Sequence, residues 1–252
     1  MLQVDDLVCG YGDIPVLKGI TFSARPNEKL FVIGPNGCGK TTLLRALAGL
    51  LAYSGKVTIN GNDVSILSKK ERSRKIAMMS QFSQSFFSYS VFETVIQGRY
   101  AWLKDGFFKS ETSSDREKVL ALLETTGLLP LKDRSIRELS GGQLQRVFLA
   151  RVFAQEPEVI LLDEPTNHLD FRYQLELMHY LDQWVKIPGR IVLGVMHDIN
   201  FAMSFADRLL IMKEGEVFAQ SDSASLDLDL INQTFDTDVR AYMAESLKKW
   251  ER

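Results

Sequence analysis

Cysteine is scarce: the 252 residues hold two, Cys9 and Cys38. Two thiols make no disulfide scaffold and have no metal-ligand spacing, so a reducing compartment is the expected setting. Long apolar runs are also missing. The longest, Val159 to Leu162 and Ile191 to Met196, are strand-sized and far short of the ~20 residues that cross a bilayer. Residues 1–10 include Asp5 and Asp6 and lack the basic start and apolar stretch of a secretory signal, so export is not expected. If a membrane is involved, another chain must supply it. Charge of one sign is lacking too. Thirty Lys and Arg against 32 Asp and Glu leave a net charge of -2, which gives no overall field for nucleic acid, and no nucleic-acid partner is expected. Internal repeats and low-complexity segments are absent. What remains, 45% hydrophobic and 25% charged residues, is the composition of an ordinary folded protein.

Short alternating runs open the chain. Lys29 to Ile33 then reads as a buried strand that runs into a glycine-rich loop and a helical pattern from Thr41 to Leu51. Asn60-Gly61, between Lys56 to Ile59 and Asp63-Val64, is a two-residue hairpin turn, so the early part contains antiparallel strands. Ile76 to Met79 is a further strand. Ser90 with Glu93 and Ser114 with Glu117 have capping-box spacing, and Gly127 is placed to stop the second helix. Residues 83 to 138 therefore read as a helical insert, which the helix following Ser140 extends to about 155. The strand Val159 to Leu162, a helix near Phe171 to Lys186 and the strand Arg190 to Met196 follow. Strands alternating with helices imply an α/β fold with a mostly parallel sheet covered on both faces. The last ~40 residues offer a strand at Arg208 to Met212, a Glu214-Gly215 turn and weak helices, too little for a separate domain. The expectation is one domain spanning 1–252.

Gly34 to Thr42 reads GPNGCGKTT and satisfies the phosphate-loop pattern. Gly34, Gly37 and Gly39, with Pro35, Asn36 and Cys38 between them, let the backbone curl so that N–H groups converge on phosphate oxygens, and the positive end of the next helix points to the same place. Lys40 adds a charge for the β and γ phosphates, Thr41 offers a hydroxyl to Mg²⁺, and Thr42 completes the loop. A nucleoside triphosphate and Mg²⁺ are the expected ligands of this loop. Val159 to Glu164 reads VILLDE: four apolar residues of a central strand, then two acids at its C-terminal edge, where open α/β sheets bind ligands. Asp163 would hold the hydrated Mg²⁺, and Glu164 would polarise the attacking water. Leu139 to Gln143 reads LSGGQ. Ser140, Gly141, Gly142 and Gln143 make a second anion-binding helix start, and one nucleotide in one chain does not need two.

With LSGGQ the chain resembles the ATP-binding-cassette family over nearly its whole length. The resemblance implies a phosphate-loop NTPase core with an antiparallel β subdomain, a helical subdomain carrying the signature, and ATP hydrolysis. It implies further roles on matching residues. Tyr11 would stack on adenine, and Gln81 would join Mg²⁺ and water to the helical insert. Asp170 would act in a loop crossing a dimer seam, with an N-cap as a compatible plain role. His197 would contact the γ-phosphate and orient Glu164. His179 reads as a surface residue and His168 is open. Cys38 stands where many relatives carry serine or alanine and reads as a tolerated small residue. A helix N-terminus and Lys40 could lower its thiol pKa, which would make it reactive and protected by nucleotide.

One phosphate loop and one signature per chain imply a head-to-tail homodimer sandwiching two nucleotides. A complete cassette without a membrane span implies integral-membrane permease partners, an indirect substrate-binding protein and a peripheral place on the cytoplasmic face of the inner membrane. Thr94-Val95 and Gly98-Arg99-Tyr100 resemble the branch importing iron–siderophore, haem or cobalamin complexes. Exporter ATPases and soluble cassettes of DNA repair or translation are the alternatives. The aromatics Phe82, Phe86, Phe87 and Tyr89 follow Gln81, where importer relatives receive the membrane subunit, and Lys69 to Lys75 reads as a solvated helix face.

Overall fold

The alternating runs at the start of the chain become a long hairpin, β1 (Leu2–Tyr11) and β2 (Ile14–Ala24), closed by a turn at Gly12. The computed structural model describes residues 1–80, 88–103, 111–167 and 169–248. After the hairpin come β3 (Glu28–Ile33), α1 (Lys40–Leu47), β4 (Ser54–Ile59), β5 (Asn62–Asp63), α2 (Lys69–Lys75) and β6 (Ile76–Met79). A helical stretch follows: α3 (Val91–Ile96), α4 (Ser113–Thr125) and α5 (Gly141–Ala154). The chain then alternates through β7 (Val159–Asp163), α6 (Phe171–Val185), β8 (Ile191–Val195), α7 (Ile199–Phe205) and β9 (Arg208–Lys213). It closes with β10 (Glu216–Asp222), α8 (Leu228–Phe235) and α9 (Val239–Leu247).

Among the described residues the strands form two sheets. One is antiparallel, in the order β2-β1-β4-β5. The other has six strands in the order β10-β9-β3-β8-β7-β6; its pairs are parallel except for the antiparallel edge β9-β10. β7 and β8 are buried at every residue, as parallel strands covered on both faces must be. One face packs with α1 against the antiparallel sheet, through residues such as Leu7, Leu17, Leu43 and Leu193. The other face packs under α6 and α7 through Phe31, Ile160, Leu181 and Phe201. The helices α3, α4 and α5 have their own apolar cluster around Val95, Leu123 and Val147.

Two boundaries and two elements depart from the sequence reading. The second capping box is Thr112 with Asp115, not Ser114 with Glu117. The Thr112 hydroxyl accepts from the Asp115 N–H at 3.1 Å, and the Asp115 carboxylate accepts from the Thr112 N–H at 3.1 Å. Asp115 is fixed there because Arg99 also holds it at 2.9 Å, so the helix begins two residues earlier than expected. α1 ends at Leu47 rather than Leu51 because Gly49 turns to φ +72, a conformation that stops a helix. β10 and α7 were not expected at all. The other expected turns are present: Asn60-Gly61 and Glu214-Gly215 both take positive φ, and Gly127, at +65, ends α4. α2 buries none of its residues, in keeping with a solvated face.

Candidate nucleotide-binding site

Strand order assembles the site. β8 lies between β3 and β7, and Val32 and Asp163 are both in register with Val195. The segments that leave these three strands at their C-terminal ends therefore emerge side by side: the loop from Gly34, the acids Asp163 and Glu164, and His197. They border one cleft of about 480 Å³ that Asn36, Gly37, Gly39, Lys40, Thr41, Thr42, Glu164, His197 and Tyr11 line.

The loop curls because its glycines allow it. Gly37 and Gly39 have φ of +80 and +103, a region that costs other residues strain. At Gly34 a Cβ would lie 2.1 Å from the Met212 carbonyl oxygen, so only glycine lets the loop lie on β9. Pro35 and Asn36 follow, and the exposed tip is Asn36-Gly37. Lys40 is buried, and its ammonium donates to the carbonyls of Gly34 at 2.7 Å and Pro35 at 2.9 Å. It thus spans the loop from inside, where a phosphate oxygen would compete for the same donors. Thr41 donates its hydroxyl to Asp163 at 3.0 Å.

Asp163 is 7% exposed. Burial raises its carboxyl above the usual carboxylate range and the charge of Glu164 adds to the rise, while the Thr41 hydroxyl, Arg45 and His197 oppose it. A hydroxyl and a carboxylate converging at a phosphate loop form the hard-oxygen pair that suits Mg²⁺, which is held by few protein ligands and completes its shell with phosphate and water. Among the described residues no group of three or more His, Cys, Asp or Glu could hold a metal on its own, which is the same sparse pattern.

Glu164 has φ +52, a strained conformation for a non-glycine residue that gathers at functional sites. Its N–H bonds to the Val195 carbonyl at 3.2 Å. One carboxylate oxygen meets His197 Nε2 and the other accepts from the Asn167 amide. The carboxylate is thus gripped at both oxygens and only partly open to solvent. Asn167 was not singled out from the sequence; its place three residues after Glu164, in the turn leaving β7, is the signal that could have found it. Arg45 was missed as well. One helical turn beyond Thr41, it reaches the Tyr11 hydroxyl at 3.4 Å and its charge acts on Asp163. Tyr11 is 47% exposed, so it is no core residue and its ring is open for stacking.

The signature does not join this cleft: no residue of 139–143 lines it. Ser140 caps α5, its hydroxyl oxygen accepting from the Gln143 N–H at 3.3 Å while the Gln143 side chain accepts from the Ser140 N–H at 3.0 Å. The hydroxyl proton of Ser140 has no part in that cap. Gly141 is exposed and Gly142 is buried against Tyr173, where a Cβ would stand 2.4 Å from the ring. Gln145 ties the helix to the segment after Glu164 by donating to the Pro165 carbonyl at 2.7 Å. Asp170 caps α6 by accepting from the Tyr173 N–H at 3.1 Å. Neither Asp170 nor the signature faces the phosphate loop of its own chain. His179 is exposed on α6. Gln81, Phe82, Phe86, Phe87 and His168 lie outside the described residues; Tyr89 is 40% exposed.

Cys38 corrects the sequence reading. It is 5% exposed and belongs to the apolar cluster beneath α1. Burial pushes its thiol above the ordinary value despite the opposing charge of Lys40. The helix end and the lysine therefore do not activate it: the side chain points into the core, where a thiolate is desolvated.

Gly98 and Arg99 have a packing role. A Cβ at Gly98 would sit 2.2 Å from the Arg151 carbonyl oxygen. Arg99 is 4% exposed, pairs with Asp115 and Glu156 at 2.9 Å each, and donates to the Ala154 carbonyl at 2.7 Å. Together they lock the stretch after α3 to α4 and to the end of α5.

The ABC transporter family profile matches residues 17–167. The chain is 36% identical to the uncharacterized ABC transporter ATP-binding protein YvrA of Bacillus subtilis (strain 168), over 98% of this chain and 56% of that one. It thus spans a little over half the length of that relative. It is 34% identical to the iron(3+)-hydroxamate import ATP-binding protein FhuC of the same organism, over 94% of this chain and 88% of that one. Among solved structures, a nucleotide-free ATP-binding cassette from an ABC transporter matches the fold with a TM-score of 0.81 at 23% identity, over 93% of this chain and 94% of that one.

Proposed function

The chain belongs to the ABC transporter family and is one of its ATP-binding, ATP-hydrolysing subunits; from that premise we propose that, as a head-to-tail homodimer, it powers a membrane importer of iron–siderophore, haem or cobalamin complexes. The observation carrying the mechanism is the pairing of Thr41 with Asp163 beside a carboxylate, Glu164, gripped at both oxygens. In this reading the loop amides of residues 34–42 and Lys40 bind the β and γ phosphates, and Tyr11 stacks on adenine. Thr41 and Asp163 hold Mg²⁺, with Gln81 as a further expected ligand. The ion would neutralise phosphate charge and orient the transferring group. Glu164 accepts the hydrogen bond of the attacking water, and His197 and Asn167 keep its carboxylate aimed. Ser140, Gly141, Gly142 and Gln143 complete the site of a second copy, with Asp170 at the seam between copies. That division of labour is supported by the absence of signature residues from the cleft of their own chain. The helical segment of about 83–155 is then an insert within a single domain.

No helix among the described residues is long and apolar enough to cross a membrane, so the importer needs permease subunits, and this chain would sit peripherally on the cytoplasmic face. The hydroxamate import relative supports the substrate class. A multi-span permease encoded next to this chain should co-purify with it, and proteoliposomes of the complex with the cognate binding protein should accumulate ferric siderophore, haem or cobalamin on addition of Mg·ATP. ATP-driven efflux instead of uptake would overturn the importer assignment.

A further inference from the structure

Away from the nucleotide cleft, a second cavity of about 460 Å³ opens where α4 and the end of α5 face α6. Its size is in the range of small-molecule sites. The walls are mainly apolar: Ala121 and Leu122 on α4, Phe153 on α5, and Tyr180 and Trp184 on α6. The rings of Phe153 and Trp184 stack with planes 5° apart and centroids at 6.0 Å.

The wall sets three cations, Arg99, Lys118 and Arg190, against one carboxylate, Glu156, whose charge also acts on Arg190. Arg190 lies over the Trp184 ring at 4.7 Å and, among the described residues, has no carboxylate within ion-pair distance. The other charges of the wall are committed to each other. Arg99 is held by Asp115 and Glu156, and Lys118 by Glu156 at 2.8 Å. His179 is the remaining titratable group beside Tyr180. The indole N–H of Trp184, itself 95% buried, has no acceptor among the described residues. Burying a donor without an acceptor is costly, and a half-buried guanidinium with its fork uncommitted suits a planar carboxylate.

We propose that the cavity between α4 and α6 binds a small aromatic carboxylate, its ring against Trp184 and Phe153 and its carboxylate on Arg190. Such a ligand bridges the helical segment to the main sheet, at the opposite end of α5 and α6 from the residues of the signature and Asp170. The site shares no residue with the nucleotide cleft, so the inference stands apart from the transport reading.

The test uses the full chain, 2-naphthoate as probe and its neutral amide as control. Indole N–H resonances are followed by ¹H–¹⁵N NMR, with the Trp184 peak assigned through Trp184→Phe. Naphthoate should shift the Trp184 peak saturably and leave Trp102 unmoved. Arg190→Gln should weaken naphthoate about 10-fold, the loss of one charge-assisted contact, and leave the amide within about 2-fold. Arg190→Lys, which keeps charge but not the fork, should lie between, and Ala121→Phe, at an exposed position on the rim, should abolish both. No saturable shift at millimolar naphthoate, equal binding of acid and amide, or indifference to both Arg190 variants would each overturn the proposal.

Discussion

Two side chains in the cleft have different proposed parts in the work, and their substitutions should separate. Glu164→Gln preserves shape and leaves Lys40, Thr41 and Asp163 to hold the nucleotide, but an amide cannot accept from water with the strength of a carboxylate. Phosphoryl transfer depends on positioning and charge, so the loss belongs in kcat. Turnover should fall 10²-fold or more, on the order expected for a general base, with ATP affinity within a few-fold of the parent. Lys40→Ala removes the ammonium that spans the loop and should weaken ATP binding itself. Single-turnover hydrolysis and ATP titration of both variants check this. If Glu164→Gln still hydrolyses near the parent rate, the base must be sought at His197 and Gln81. At the same scale, the sequence singled out Lys40, Thr41, Asp163 and Glu164 from fixed spacings at strand ends, and the structure brings them together at the C-terminal edge of the sheet. It misjudged Cys38, because which way a loop side chain turns depends on the apolar cluster beneath α1.

At the scale of elements, the helical segment is held by charge as well as by its apolar cluster. Asp115 serves as the cap partner of Thr112 and as a ligand of the buried Arg99. Burial alone would raise its carboxyl, but the bonds from Thr112 and Arg99 outweigh it, and the group stays below the usual carboxylate range. Its stabilising contribution is therefore present above the unfolded value, about 3.9, and is lost as pH falls through the lower folded value. Asp115→Asn should cost about 2 kcal/mol at neutral pH, less than a lone buried pair because Glu156 still faces Arg99. The variant should also show a shallower loss of stability below pH 4 than the parent. Denaturant unfolding at several pH values measures both. A parallel pH dependence of the two proteins would show that Asp115 carries no linked proton. The sequence missed this pairing because Ser114 and Glu117 have the same spacing with the glutamate usual at the third helical position, and only the position of Arg99 decides between them.

For the whole molecule, the cleft is half of what the sequence motifs promise. The phosphate loop, Glu164 and His197 meet within one chain, whereas Ser140 and Asp170 start helices elsewhere on the surface. In the proposed homodimer a second copy would bring its signature to the first copy's nucleotide, and a two-fold arrangement would do so twice. Glu164→Gln protein should therefore sediment as a dimer with Mg·ATP and as a monomer without it, and Ser140→Arg, which blocks the signature face, should stay monomeric in both. A monomer at all concentrations with Mg·ATP would remove the dimer from the mechanism.

By itself the sequence determined the local devices: the glycine loop, the two acids ending a buried strand, the caps at Ser90 and Ser140, the turns at Asn60-Gly61 and Glu214-Gly215. Each is fixed by neighbours a few residues away, through backbone conformations that only certain residue types adopt. The tertiary structure alone decided which of them meet. Placing β8 between β3 and β7 brings His197 to Glu164, 33 residues apart, and Thr41 to Asp163, 122 apart. It also decided the burial of Cys38 and the unsatisfied indole N–H of Trp184. Strand order, register and burial are set by the packing of the whole core, and no run of neighbouring residues encodes them.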